Sequence, residues 1–147
     1  MKKIFSIFTV ALMALSFAGC NNPEPELLVK FEINNINVGT TTATVEITPD
    51  NLDVWYMRDY FVTSLVENGT FSSTWEAAKG GLSVLKIEGF TYEQLKEMGA
   101  IVKGKQTWEI DGLLPGTGYS VVTYIVDENL NIVGNSFGTG FFHTYAE

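Results

Sequence analysis

The chain has 147 residues, room for one domain, with 9 Lys+Arg against 17 Asp+Glu, a formal charge of −8 and 46% apolar residues. That balance excludes an electrostatic nucleic-acid binder, which needs a basic face to neutralise phosphates, and it excludes a disordered polyampholyte. One cysteine and one histidine exclude an internal disulfide, a thiolate zinc cluster and a multi-histidine metal site.

Met1-Lys2-Lys3 is a short positive start. Ile4 to Phe17 is apolar apart from Ser6, Thr9 and Ser16, and the uncharged stretch ends at Ala18-Gly19-Cys20. A charged start, a greasy middle and small residues before a cut are the layout of a secretory signal. The stretch is shorter than the roughly 20 apolar residues of a spanning helix. Asn21-Asn22-Pro23-Glu24-Pro25-Glu26 then reads as a flexible acidic linker.

Ser16-Phe17-Ala18-Gly19-Cys20 resembles the lipobox of bacterial lipoproteins, with Phe17 in place of the more usual leucine. The resemblance implies a signal peptide over 1–19, cleavage before Cys20, and several acyl chains (palmitate among them) on Cys20. More than one chain is what stable anchoring needs. Residues 20–27 become a lipidated cysteine and linker. Asn21, not aspartate, implies the outer membrane of a Gram-negative cell, and Glu24 and Glu26 are similar to surface-export signals. The periplasmic and outer faces both stay open. The rival reading is an ordinary cleaved signal. Loss of residues 1–19 removes Lys2 and Lys3 and no acidic residue, so the processed chain is more acidic still.

Val29, Phe31 and Ile33 alternate with Lys30, Glu32 and Asn34, a half-buried strand. Asn37 to Thr40 reads as a turn, and Ala43, Val45 and Ile47 alternate in a second strand. Further strands are expected at 54–61, 106–110, 118–126 and 132–144, the last two joined by a hairpin loop at 127–131. Short strands separated by turn signals indicate a sandwich. Residues 62–103 break this pattern. Ser73 and Thr91 each begin capping-box spacing, and Tyr92, Leu95 and Met98 recur at about one helical turn. Two short helices are expected there, the first weakened by Gly80-Gly81.

Gly112-Leu113-Leu114-Pro115-Gly116-Thr117-Gly118-Tyr119 resembles the fibronectin type III pattern leading into strand F. The resemblance implies a tyrosine corner at Tyr119, with its hydroxyl bonding backbone a few residues upstream. It extends over roughly 28–61 and 104–145. Ile47 stands where that family usually has tryptophan, and the 62–103 connection is too long for the standard fold. The fold class expected is therefore mostly β: an immunoglobulin/fibronectin type III-like antiparallel β-sandwich over 28–147, with two short inserted helices at about 62–103.

Strands 54–61 and 118–126 are apolar on both faces, so one face needs a cover. The inserted helices are the spare material. Trp75, Leu82, Leu85, Tyr92, Leu95 and Met98 are expected to pack over Val122, Tyr124 and Val126.

Catalytic, cofactor and metal residues are not expected. His143 lies in the terminal strand without a nucleophile-elbow motif. Asp127 to Asn131 begins like a calcium loop, but Ile132 stands where glycine is needed and Gly138 where glutamate is needed. Glu93 and Glu97 share a helix face, and with Glu88 they read as solvated carboxylates. Asn68-Gly69-Thr70 reads as a turn, and no helix follows Gly134, Gly138 and Gly140 to make a phosphate cradle. Trp55, Trp75 and Trp108 are expected in the core, although exposed rings would stack on a sugar or anchor a protein. The 62–72 and 127–131 loops are the better recognition surfaces. The function expected is a lipid-anchored, non-catalytic binding module. Its partners are the membrane through Cys20 and a protein or glycan ligand, not nucleic acid. The alternatives are an envelope protease inhibitor, with an exposed rigid loop or free edge strand, and a carbohydrate-binding accessory lipoprotein. An enzyme would need His143 clustered with a serine and a carboxylate.

Overall fold

The computed structural model describes residues 28–147. The signal, Cys20 and linker readings lie outside the described residues. Ten elements follow in order: β1 (Phe31–Val38), β2 (Ala43–Pro49), β3 (Trp55–Val62), α1 (Ser64–Glu67), α2 (Thr74–Ile87), α3 (Tyr92–Glu97), β4 (Ile101–Lys103), β5 (Gln106–Ile110), β6 (Gly118–Val126) and β7 (Ile132–His143). They form two antiparallel sheets, β1-β2-β5 and β4-β3-β6-β7, consistent with a β-sandwich.

The period of two in β2 does what it promised. Ala43, Val45 and Ile47 are buried between the sheets, while Thr44, Glu46 and Thr48 are half-buried on the outer side. Lys105 pairs with Glu46 on that outer side at 3.2 Å. Across the gap lie Tyr56, Tyr119, Val121, Ile125 and Phe142 of the second sheet. Each large apolar side chain so buried contributes about 1.5–3 kcal/mol. β1 and the segment leading into it also lean on β7: the Val29 amide donates to Ser136 Oγ at 2.6 Å, and Asn35 Nδ2 of β1 to the Phe141 carbonyl at 2.8 Å.

β6 is buried from Tyr119 through Val126. One face looks at the first sheet. The other carries Val122, Tyr124 and Val126 into a second core with Met57, Ala78, Leu82, Leu95, Ile101 and Leu130. The inserted helices therefore cover the outer face of the four-stranded sheet, as the double-faced apolar run required. Trp75, Leu85 and Tyr92 pack there too. Met98 does not. It is the C-cap of α3 and is exposed, because Gly99, at φ 80°, turns the chain away before the helical stripe reaches it.

Both predicted helices begin at their capping residues. Ser73 Oγ accepts from the Glu76 amide at 3.1 Å. Thr91 and Gln94 form a reciprocal capping box, at 3.2 and 2.9 Å. Four local readings need correction. β1 runs on to Val38 through an irregularity between Asn35 and Asn37, so the turn begins only at Gly39, whose amide donates to the Thr42 carbonyl. A third helix, α1, occupies part of the expected 62–72 loop. Ile101–Lys103 is a strand on the edge of β3 rather than the tail of a helical insert. Gly80-Gly81 does not shorten α2, which runs 14 residues through the pair.

The Tyr119 hydroxyl accepts from the Leu114 amide at 2.9 Å, five residues upstream, where the resemblance placed it. Its ring stacks on Phe142, with centroids 5.5 Å apart. Tyr119→Phe keeps that packing and leaves one amide without its acceptor. The expected loss is about 1 kcal/mol in urea unfolding at unchanged m-value. A neutral result would show that water replaces the bond.

Candidate functional site

Among the described residues the helical cover leaves a mainly apolar opening. β3 sends Met57, Asp59 and Phe61 to the helix side, by the same period of two that sends Tyr56, Arg58 and Tyr60 to the other. Met57 is absorbed into the second core. Asp59 and Phe61 instead line a pocket of about 220 Å³ closed by Leu65, Phe71, Ala77, Gly80, Gly81 and Val84.

The glycine pair in α2 makes this geometry possible. A Cβ at Gly80 would lie 2.9 Å from the Phe71 ring, and one at Gly81 would lie 3.2 Å from Asp59 Oδ2. Two mid-helix glycines lower helix stability by up to about 1 kcal/mol each relative to alanine. Here they let an aromatic ring and a carboxylate approach the helix backbone.

Asp59 Oδ1 accepts from the Tyr60 amide at 2.8 Å. Among the described residues no ion pair involves Asp59. Burial pushes its carboxyl above the usual carboxylate range, and the Tyr60 amide opposes this only partly. Tyr124 shares this layer. Its hydroxyl is buried without a hydrogen-bond partner, and burial, reinforced by the charge of Asp59, raises its ionisation well above the ordinary tyrosine value.

A carboxyl whose folded pKa lies above its unfolded value holds its proton more tightly when folded. Its contribution to stability is full below the unfolded pKa and is lost as pH rises through the folded pKa. Asp59→Asn removes that loss. The variant should melt a few degrees higher than the parent at neutral pH, with the difference shrinking to nothing at pH below the carboxylate range. A lower melting temperature at pH 7 would show that the ionised carboxylate stabilises the fold.

A second depression, of about 260 Å³, lies at the end of the molecule where α1 meets the β6–β7 strand ends. It brings together Ser64, Glu67 and His143, the residue types an acyl-transfer enzyme uses. They are not joined: His143 Nδ1 faces the Thr144 carbonyl at 3.0 Å, and no hydrogen bond or ion pair links the three. A nucleophile and its base sit within about 3.2 Å of each other. A third depression, of about 250 Å³, is lined by Lys86, Tyr92 and Glu128 beside the 127–131 loop. Asp127 braces that loop, accepting from the Asn129 and Asn131 amides at 2.8 and 2.9 Å. The Asn131 amide, more than any other group, holds the Asp127 carboxyl below its usual range.

The tryptophans are occupied by neighbours. Trp75 meets Tyr124 and Phe137 edge-on at 6.1 and 4.7 Å. Trp108 lies under the Arg58 guanidinium at 4.5 Å and against Tyr60 at 5.7 Å. Trp55 is partly exposed, not in the core as expected, because it lies next to the short edge strand β4 and has Lys96 4.3 Å over its ring. Among the described residues no cluster of His, Cys, Asp or Glu could hold a metal ion, and no helix is long and apolar enough to cross a membrane. Sequence reasoning passed over Asp59; the signal was a lone acid between Met57 and Phe61 on a face that had to be covered. No family model, curated protein or solved structure matches this chain.

Proposed function

We propose that this chain is a lipid-anchored protein of a Gram-negative outer membrane, and that its fibronectin type III-like sandwich serves as a non-catalytic binding module. The anchor rests on the Ser16–Cys20 sequence. The fold reading draws on the Tyr119 hydroxyl, bonded back to the Leu114 amide, and on the two antiparallel sheets.

The observation that carries the binding reading is the Asp59 pocket. The helices bury Val122, Tyr124 and Val126 completely or nearly so, yet leave an acid and a ring of apolar side chains open to a ligand. A concave apolar site with one fixed polar group has the character of a recognition site. It holds no nucleophile–base pair.

Intact-mass analysis of protein extracted from the native membrane tests the anchor. The expected product begins at Cys20 and carries the mass of several acyl chains, and Cys20→Ser should leave an uncleaved precursor. A full-length chain with a free Cys20 thiol overturns the proposal.

A further inference from the structure

We propose that the Asp59 pocket binds a small primary ammonium carrying one phenyl-sized apolar group, an arylalkylamine. This deepens the binding-module reading and rests on it. The charge argument comes first. Asp59 Oδ2 takes no hydrogen bond from the described residues, and the cations of α2 and β3 do not pair with it. Lys79 pairs with Glu76 at 2.6 Å, Lys86 with Asn131 at 3.2 Å, and Arg58 Nε donates to the Gly99 carbonyl at 3.0 Å on the other face of β3. A carboxylate in an apolar wall with no partner is complementary to a cation that brings its own apolar cover.

The geometry selects among cations. Oδ1 already accepts from the Tyr60 amide, so Oδ2 is the oxygen left without a protein donor; one N–H satisfies it, whereas the two-pronged bond of a guanidinium would have to share Oδ1 with that amide. A metal ion would find a single carboxylate, too few ligands for any hard cation. An ammonium needs one oxygen. The size argument is independent. A buried apolar cavity of about 150 Å³ accommodates benzene, so about 220 Å³ accommodates a benzene ring and a short amine tail. Phe61, Leu65 and Phe71 supply apolar walls for the ring.

The test is calorimetric titration of the purified protein with phenethylammonium and its isosteric alcohol, repeated on Asp59→Asn and Gly81→Ala. The amine should bind about tenfold or more tightly than the alcohol. Asp59→Asn should remove that preference. Gly81→Ala, which crowds Oδ2, should weaken the amine selectively, so the proposal does not hang on one variant. Equal affinity for amine and alcohol, undiminished amine binding by Asp59→Asn, or no binding at millimolar amine would each overturn it. None of these results alters the acyl mass on Cys20, so failure of the ligand assignment is distinguishable from failure of the anchor.

Discussion

Gly138→Ala is expected to destabilise the domain by about 3 kcal/mol, the upper end of what one extra methyl does in a packed interior. A Cβ at position 138 would lie 2.5 Å from Thr123 Oγ1 and 2.6 Å from Phe31 Cβ. The first neighbour is on β6, the paired strand, and the second is on β1, which belongs to the other sheet. The Phe31 Cβ is fixed to its backbone and cannot swing aside, so β1 itself has to move. Gly140 makes the same kind of approach, but its closest neighbour would be Ile33 Cγ2 at 2.6 Å. The backbone-fixed Ile33 Cβ is further off, at 3.2 Å, so Gly140→Ala should be milder, about 1–2 kcal/mol. Thr139→Ala, at the exposed position between them, should stay within about 0.5 kcal/mol. The measurement is the urea midpoint at constant m-value. Adding Thr123→Ala to Gly138→Ala should recover only part of the loss, because the Phe31 contact remains. A loss below about 1 kcal/mol would place β1 further from β7 than the structure has it.

Those two glycines show why some of the fold was readable and some was not. The alternation in β2 and the apolar residues on both faces of β6 are local patterns with one physical meaning each: one covered face, or two. They were enough to expect the sandwich and to put the helices over Val122, Tyr124 and Val126. What β1 rests on is not local. Gly138 and Gly140 looked like a failed phosphate cradle, and their use as contact points for Phe31 and Ile33 depends on a strand about 107 residues away in the chain. β4 and α1 were missed for a simpler reason. Three and four residues are too few to establish a period. Gly80-Gly81 was weighed by helix propensity, and tertiary packing overrode it.

The candidate site was less legible than the fold. Arg58-Asp59 is an adjacent pair of opposite charges in a strand otherwise apolar on both faces. Period two sends them to opposite faces, Arg58 onto Trp108 and Asp59 under α2. Which acid of 17 would be left facing apolar walls depended on α1, Phe71 and the glycine pair meeting in space. His143, by contrast, was weighed as an unremarkable strand histidine, and the groove brings Ser64 and Glu67 near it without a connecting hydrogen bond.

Tyr124 separates the two roles of the helical layer. The ring is fully buried, edge-on to Trp75 of α2 and paired across the sheet with Phe137. Tyr124→Ala should cost about 3–5 kcal/mol, as for other large buried rings. Hydrogen exchange should then show α2 amides losing protection ahead of β2, since the ring belongs to the helix-side core only. Tyr124→Phe should act in the opposite direction. It keeps the ring and removes a buried hydroxyl that has no partner among the described residues, so stability should be unchanged or should rise by about 1 kcal/mol. If Tyr124→Phe instead destabilises by more than about 1 kcal/mol, the hydroxyl is held by an internal water, and the helix-side core is wetter than its apolar side chains imply. If both variants are mild, the helices are held by their caps and loops, and the apolar outer face of the sheet is not what recruits them.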